Sequence, residues 1–271
     1  MSYQKKQRKV SVIMGIYNCA STLSDAIESL LAQTFSDWEL IMCDDCSLDN
    51  TASLAHTYED RYDNILLISN DQNMGLAATL NHCLKYADSE YIARMDGDDI
   101  SMPDRFEKEV AYLDNHPEYA LVSCEMIHFD ETGEWGISRY VEKPEKKDFL
   151  IKSPFCHAGS MMRRKHLNEV GNYTVSELLR RGQDYWLWHK FYCAGYKGYN
   201  LQEPLYKMRD GQDAAKRRTF KSAMTEMKAE YKIFKNLGIP WYYRLRALRS
   251  PIVTLIPKPI YMYLHKRKQR S

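Results

Sequence analysis

Two periodicities take turns along the first half of the chain. Residues 10–16 (VSVIMGI) form a short run rich in β-branched side chains, which predicts a buried strand. Residues 21–34 follow with Ala26, Ile27, Leu30 and Leu31 at helical spacing and Ser21 or Thr22 available as N-cap. Residues 38–43 (WELIMC) predict a second strand, and a helix capped by Asp49 or Asn50 extends to about Tyr58. Residues 65–68 are apolar again, and residues 75–87 set Leu76, Leu80 and Leu84 on one helical face. A strand over 91–95, a helix over 103–115 with Pro103 near its first turn, and a strand over 120–124 complete the pattern. Four alternations of strand and helix predict an α/β fold, a mostly parallel sheet with helices on both faces.

The alternation is lost over residues 125–213, where a strand-like piece at 160–162 and an aromatic helix at 183–194 (QDYWLWHKFYCA) stand out. From Ala214 the pattern is helical to about Leu237, breaks at Gly238 and Pro240, and resumes over 241–248.

In a parallel sheet, ligands bind beyond the carboxyl ends of the strands. Here those exits carry Tyr17 and Asn18, then residues 44–49 (DDCSLD), residues 70–75 (NDQNMG) and residues 96–99 (DGDD). Any one could be a solvated loop. Four polar, mostly acidic exits on one edge point to a site. Asp96, Asp98 and Asp99 repel one another unless a cation lies among them, and hard divalent ions take carboxylate oxygens together with phosphates. Gly97 lets the backbone turn tightly beside a bulky ligand. An acidic turn with Asp99 capping the next helix would carry the same letters.

Charge changes the picture at the carboxyl end. Net charge is only +2, yet residues 201–271 hold 17 Lys and Arg against 5 Asp and Glu, so an acidic body carries a basic tail. With 44% hydrophobic and 27% charged residues the chain is neither disordered nor fibrous. Seven cysteines, an odd number, and the lack of a leader pattern before Val10 predict a reducing, cytoplasmic setting. Cys43 and Cys46 form a C-x-x-C with no second pair to complete a zinc site, and Asp44 and Asp45 between them would disfavour a thiolate. The glycine-rich dinucleotide and Walker signatures and the H-E-x-x-H pattern are missing from the sequence.

Taken in order and spacing, the residues resemble family 2 glycosyltransferases of the GT-A fold. The resemblance runs through Tyr17 and Asn18, Gln33-Thr34-Phe35, Asp44-Asp45-x-Ser47-x-Asp49-x-Thr51, Asn73-x-Gly75-Leu76-Ala77, Asp96-Gly97-Asp98-Asp99 and Pro103-x-Arg105. It continues through His157-x-Gly159, Met161-Met162-Arg163, Gly171-x-Tyr173, Gln183-Asp184-x-x-Leu187-Trp188 and Pro204-Leu205-Tyr206, covering roughly residues 8–210. Residues 154–157, 198–203 and 216–218 look most like the EpsE-type enzymes of bacterial exopolysaccharide and biofilm-matrix clusters.

The resemblance implies a Rossmann-like GT-A domain over 1–213, with a nucleotide-binding half at about 8–124 and an acceptor half at about 125–213, and a basic helical extension over 214–271. It implies an inverting hexosyl- or N-acetylhexosaminyl-transferase that moves a sugar from a nucleotide diphosphate, a UDP-sugar, to a hydroxyl of a growing lipid-linked saccharide. Mn²⁺ or Mg²⁺ would be held by Asp98, with Asp96 on the ribose or the metal and Asp99 a second metal candidate. Asp45 would contact the base, Tyr17 would stack or touch the ribose, and Asn73 and Gly75 would line the donor site. His157 and Arg209 would approach the diphosphate, and Asp184 would be the catalytic base. The family usually carries Glu-Asp where this chain has Gln183 and Asp184.

Residues 250–264 (SPIVTLIPKPIYMYL) are apolar but broken by Pro251, Pro257 and Pro259, short of the ~20 residues a spanning helix needs. With Arg244, Arg246 and Arg249 before them and Lys266, Arg267, Lys268 and Arg270 after, they fit a segment lying on an anionic membrane surface, or a basic helix pair packed on the body. Nucleic acid is not expected, because the body is acidic and no recognition motif accompanies the tail. Docking to other exopolysaccharide assembly proteins, with the body as scaffold, is the alternative function.

Overall fold

The computed structural model of the protein describes residues 6–180, 182–209 and 219–254. Its first seven elements are β1 (Val10–Ile16), α1 (Leu23–Leu31), β2 (Trp38–Asp44), α2 (Thr51–Glu59), β3 (Ile65–Ser69), α3 (Leu76–Leu84) and β4 (Tyr91–Arg94). The strands lie in the order β3-β2-β1-β4, all parallel, with Val12 beside Leu40 on one side and Ala93 on the other. The chain leaves β1 first toward β2 and later returns beyond it to β4. The exits of β1 and β4 therefore flank the crevice where such sheets bind ligands.

The second half follows as β5 (Ile100–Ser101), α4 (Arg105–Asn115), β6 (Leu121–Asp130), β7 (Gly133–Ser138), β8 (Ser160–Arg163), α5 (Arg164–Glu169), α6 (Gln183–Cys193), β9 (Gly198–Arg209) and α7 (Phe220–Asn236). It extends the same sheet in the order β4-β8-β6-β9-β5, with β7 hairpinned onto β6. Here the pairing is mixed: β8 is antiparallel to β4 and β6, and β9 is parallel to β6 and antiparallel to β5.

Alternation along the strands builds one core on each face. Val12, Met14, Leu40 and Met42 pack with α1 and with Phe106 and Leu113 of α4. Ile13, Ile41 and Cys43 face Leu80 of α3, Trp188 and Phe191 of α6, and Ile233 and Phe234 of α7. Short helical turns at 241–253 follow α7, and their Ala247 joins the second core. The described part of the basic extension is thus packed on the body, while the boundary expected at 213/214, residues 216–218 and most of the apolar stretch 250–264 lie outside the described residues.

Candidate active site

At the end of β4 the chain turns through residues 96–99. A Cβ on Gly97 would stand 3.0 Å from Cys19 Sγ and 3.2 Å from Ile16 Cγ2. The protein's own packing at the β1 exit thus leaves a side chain little room at this position.

The three acids of this turn meet different fates. Asp99 is 2% exposed; Oδ2 accepts from Tyr206 Oη at 2.9 Å and Oδ1 from the Arg209 N–H at 2.8 Å. It pins β9 to the loop instead of capping α4, and burial, then Asp96 and Asp98, hold its carboxyl well above the usual range. Asp96 faces Arg94 Nη1 at 2.6 Å, and its N–H donates to Tyr206 Oη at 3.2 Å. Asp98 is exposed, and no side chain among the described residues donates to its carboxylate. The surrounding protein, then Asp96, raise its pKa.

Arg94 was not among the residues expected at the site. It is wholly buried, and its Nε and Nη2 have no hydrogen-bond partner among the described residues. Its guanidinium pairs with Asp96, and its charge is also felt, behind the effect of burial, at Asp98, His157 and Asp184. The available signal was a cation ending the short central strand YIAR. Behind it Arg105, also fully buried, donates from Nη2 to the Arg94 carbonyl at 3.0 Å and pairs with Glu109 at 3.2 Å.

The first two exits are tied together. Asn18 sits at φ 49°; its N–H donates to Ser47 Oγ at 3.0 Å and its Oδ1 accepts from the Leu48 N–H at 2.8 Å. Tyr17 beside it is 47% exposed, so its ring is open to a ligand and not part of the core. Asp49 accepts from the Thr51 N–H at the start of α2, as its position suggested. Asp45 is 4% exposed and moors the loop before α3: its carboxylate accepts from the N–H groups of Met74 and Gly75 and from Asn70 Nδ2, each at 2.8 Å. A carboxylate has about four acceptor sites, so one remains for a ligand such as a base imide. Asn73 is exposed and donates to the Asp45 carbonyl at 3.3 Å. Gly75, at φ 80°, makes the left-handed turn that opens α3, where a Cβ would be strained.

The opposite wall is the start of α6. Gly182 (φ 89°) precedes the helix, and Asp184 lies in its first turn, partly buried, with Ser153 Oγ donating at 3.4 Å. Burial pushes its carboxyl up, against the stabilising N–H of Tyr185. His157 Nε2 is 2.9 Å from Tyr173 Oη, and its ring meets Trp188 edge-on at 5.9 Å. Burial, then Arg94, hold the imidazole well below its ordinary value, so it is neutral at pH 7. Asn81 of α3 clamps the Tyr173 backbone through both amide groups. Between the start of α3 and the start of α6 runs a cleft of about 430 Å³, lined by Asn73, Gly75, Leu179, Arg180 and Gln183, with the acid turn, His157 and Asp184 outside its lining.

Among the described residues no three His, Cys, Asp or Glu side chains form a cage for a metal. Mg²⁺ and Mn²⁺ sites that serve phosphates do not need one, since such ions use one or two carboxylates and complete their shell with water and phosphate. Asp98, exposed and without a side-chain donor, fits that role. Asp99 would first have to release Tyr206 or the Arg209 amide. Arg209 itself donates from Nε to the Asp98 carbonyl at 3.1 Å.

Residues 11–171 match the family model described as Glycosyl transferase family 2. The chain belongs to this family. This family 2 glycosyltransferase is 42% identical to EpsE of Bacillus subtilis, over 96% of this chain and 94% of that one. It is 29% identical to the UDP-Gal:alpha-D-GlcNAc-diphosphoundecaprenol beta-1,3-galactosyltransferase of Escherichia coli, over 96% of each. Its fold is similar to that of S. aureus TarS 1-349 crystallised with UDP-GlcNAc, at a TM-score of 0.69 and 19% identity, covering 90% of this chain and 71% of that one. The GT-A fold and the glycosyltransferase activity inferred from the sequence are thereby established.

Proposed function

We propose that this glycosyltransferase moves a hexosyl or N-acetylhexosaminyl group, with inversion, from a UDP-sugar to a hydroxyl of a lipid-linked exopolysaccharide intermediate. The observation that carries this reading is the acid turn at the β4 exit of a family 2 fold, where Asp98 stands exposed without a side-chain donor among the described residues and Asp96 pairs with the buried Arg94 at 2.6 Å. Two demands meet there. The leaving diphosphate gathers negative charge, and the acceptor hydroxyl must lose a proton as its bond forms. A divalent ion bound at Asp98 supplies charge neutralisation for the first. Tyr17 and Asn73 offer a ring and an amide to the nucleotide, Asp45 its remaining acceptor site to the base, and Asp96 a carboxylate to the ribose or ion.

Asp184 answers the second demand. At the start of α6 it takes the hydroxyl proton, and one base without an enzymic nucleophile gives single displacement and inversion. Gln183, where the family pattern that the sequence resembles has Glu, leaves Asp184 as the sole acid of that pair. The lipid-linked acceptor is suggested by the diphosphoundecaprenol acceptor in the name of the E. coli relative and by the basic extension, where Arg244, Arg246 and Arg249 accompany exposed Trp241, Tyr242 and Tyr243. This segment would hold the enzyme on an anionic membrane surface; no helix among the described residues is long and apolar enough to cross a membrane.

The test is a panel of nucleotide sugars scored for thermal protection and hydrolysis, with Mn²⁺ and with chelator. Metal-dependent protection by one UDP-sugar is the expected result. Protection by no nucleotide, with or without metal, would overturn the reading.

A further inference from the structure

On the face formed by α7 and the turns that follow it lies a second depression, a groove of about 380 Å³. Its floor and walls are Leu178, Met227, Tyr231, Leu245, Ala247 and Leu248. Three cations, Lys228, Lys232 and Arg244, stand among them, the two lysines exposed on α7. Leu245 and Leu248 are 54% and 45% exposed, so apolar surface is held open to solvent. Surface of this kind marks a binding face when it is contiguous.

The groove touches the active-site cleft through a single 3₁₀ turn, Glu177–Leu179. Leu178 points to the groove, while Glu177 and Leu179 line the cleft together with Gln183, the neighbour of Asp184. One turn of backbone thus separates the cleft beside Gln183 from an apolar groove rimmed with positive charge.

We propose that this groove binds the first isoprenoid units of a lipid-diphosphate-linked acceptor, with Lys228, Lys232 and Arg244 receiving the diphosphate and the sugar passing over the turn into the cleft. This rests on the glycosyltransferase reading above and adds to it the place where the lipid is held. Three features select that occupant. The apolar lining excludes a free sugar or nucleotide. The lysines are point charges suited to phosphate oxygens. The groove lies one 3₁₀ turn from the cleft that Gln183 lines.

The probe is farnesyl diphosphate, with inorganic pyrophosphate as the headgroup alone, titrated into the full chain. Leu245→Glu and Leu248→Glu change exposed positions, so folding is retained, and unchanged melting temperatures check this. Farnesyl diphosphate should bind well above pyrophosphate, and each Glu variant should weaken it by about tenfold, the effect of losing one buried leucine side chain. UDP protection and donor hydrolysis should be unchanged in both variants.

Equal binding of farnesyl diphosphate by parent and variants overturns the proposal. So does pyrophosphate binding as tightly, or loss of binding only in Asp98→Asn, since each puts the ligand elsewhere. No binding to the parent also overturns it. Variants that leave phosphatidylglycerol vesicles yet still bind farnesyl diphosphate would make this a membrane-surface face and overturn it too. A parent that binds farnesyl diphosphate at Leu245 but hydrolyses no nucleotide sugar leaves the groove standing while the enzymatic reading fails.

Discussion

Arg94 and Asp96 face each other across 2.6 Å at the end of β4, the guanidinium wholly buried and the carboxylate about one-third exposed. The pair is asymmetric in what each partner would suffer alone. Without Asp96, Arg94 keeps a charge in the interior with no side-chain partner among the described residues. Without Arg94, Asp96 can turn to water. Asp96→Ala is expected to lower unfolding stability by about 3 kcal/mol, and Arg94→Met by clearly less. Urea unfolding of the two variants checks the order; the reverse order would show that Asp96 is the residue held in place.

Asp98→Asn should leave stability within about 0.5 kcal/mol, as for an exposed position with no side-chain partner. It should weaken metal-dependent UDP retention by more than about 1 kcal/mol, the effect of losing a charged ligand. Calorimetric UDP titrations in Mn²⁺ and in chelator decide this. An affinity indifferent to both chelator and substitution removes the ion from Asp98.

Asp184→Asn is expected to lower sugar transfer by roughly 10²–10⁴-fold with UDP affinity unchanged, because the amide keeps the size and loses the basicity. If UDP affinity falls instead, Asp184 belongs to the nucleotide.

The same residue sets a pH dependence. Burial raises the Asp184 pKa above its ordinary 3.8, so the ionised base is lost on the acid side at a pH above 3.8. Because the folded pKa is the higher one, ionising Asp184 opposes folding, and stability from this group grows as pH falls. At pH 7 Asp184→Asn should therefore be neutral or slightly more stable than the parent. A melting curve showing marked destabilisation at pH 7 would contradict that.

Behind the site, Arg105 and Glu109 form a pair with both side chains wholly buried. Arg105→Met strands Glu109 in the interior and should cost about 3–5 kcal/mol, while Arg105→Met with Glu109→Leu should recover most of it. Urea unfolding of the single and double variants is the measurement. No recovery in the double variant would trace the loss to the Arg105 bonds with the Arg94 and Ser160 carbonyls.

The parallel half of the fold was legible because each element there keeps one period over its whole length, as β1 and α1 do. β9 was not: GYNLQEPLYKMR carries polar residues and a proline, and it is held as a strand by β6. The register shifts where Glu125 meets Pro204, and a bulge absorbs the mismatch. In the site, local spacing revealed which acids cluster but not how their roles divide. Asp99 is buried because Tyr206, 107 residues away, reaches it, and no local pattern encodes that contact. Arg94 was hidden because the burial of a cation ending a strand is set by the elements packed over it and not by the letters YIAR.

Tyr206 bridges the Asp96 amide and the Asp99 carboxylate, and Asp99 in turn holds the Arg209 amide. By composition, DGDD belongs to the segments that usually surrender their protons to solvent first. Tied into a twelve-residue strand paired on both sides, its Asp96 amide and that of Arg209 are expected to exchange with deuterium only when the whole sheet opens, at the slow end of the molecule's range.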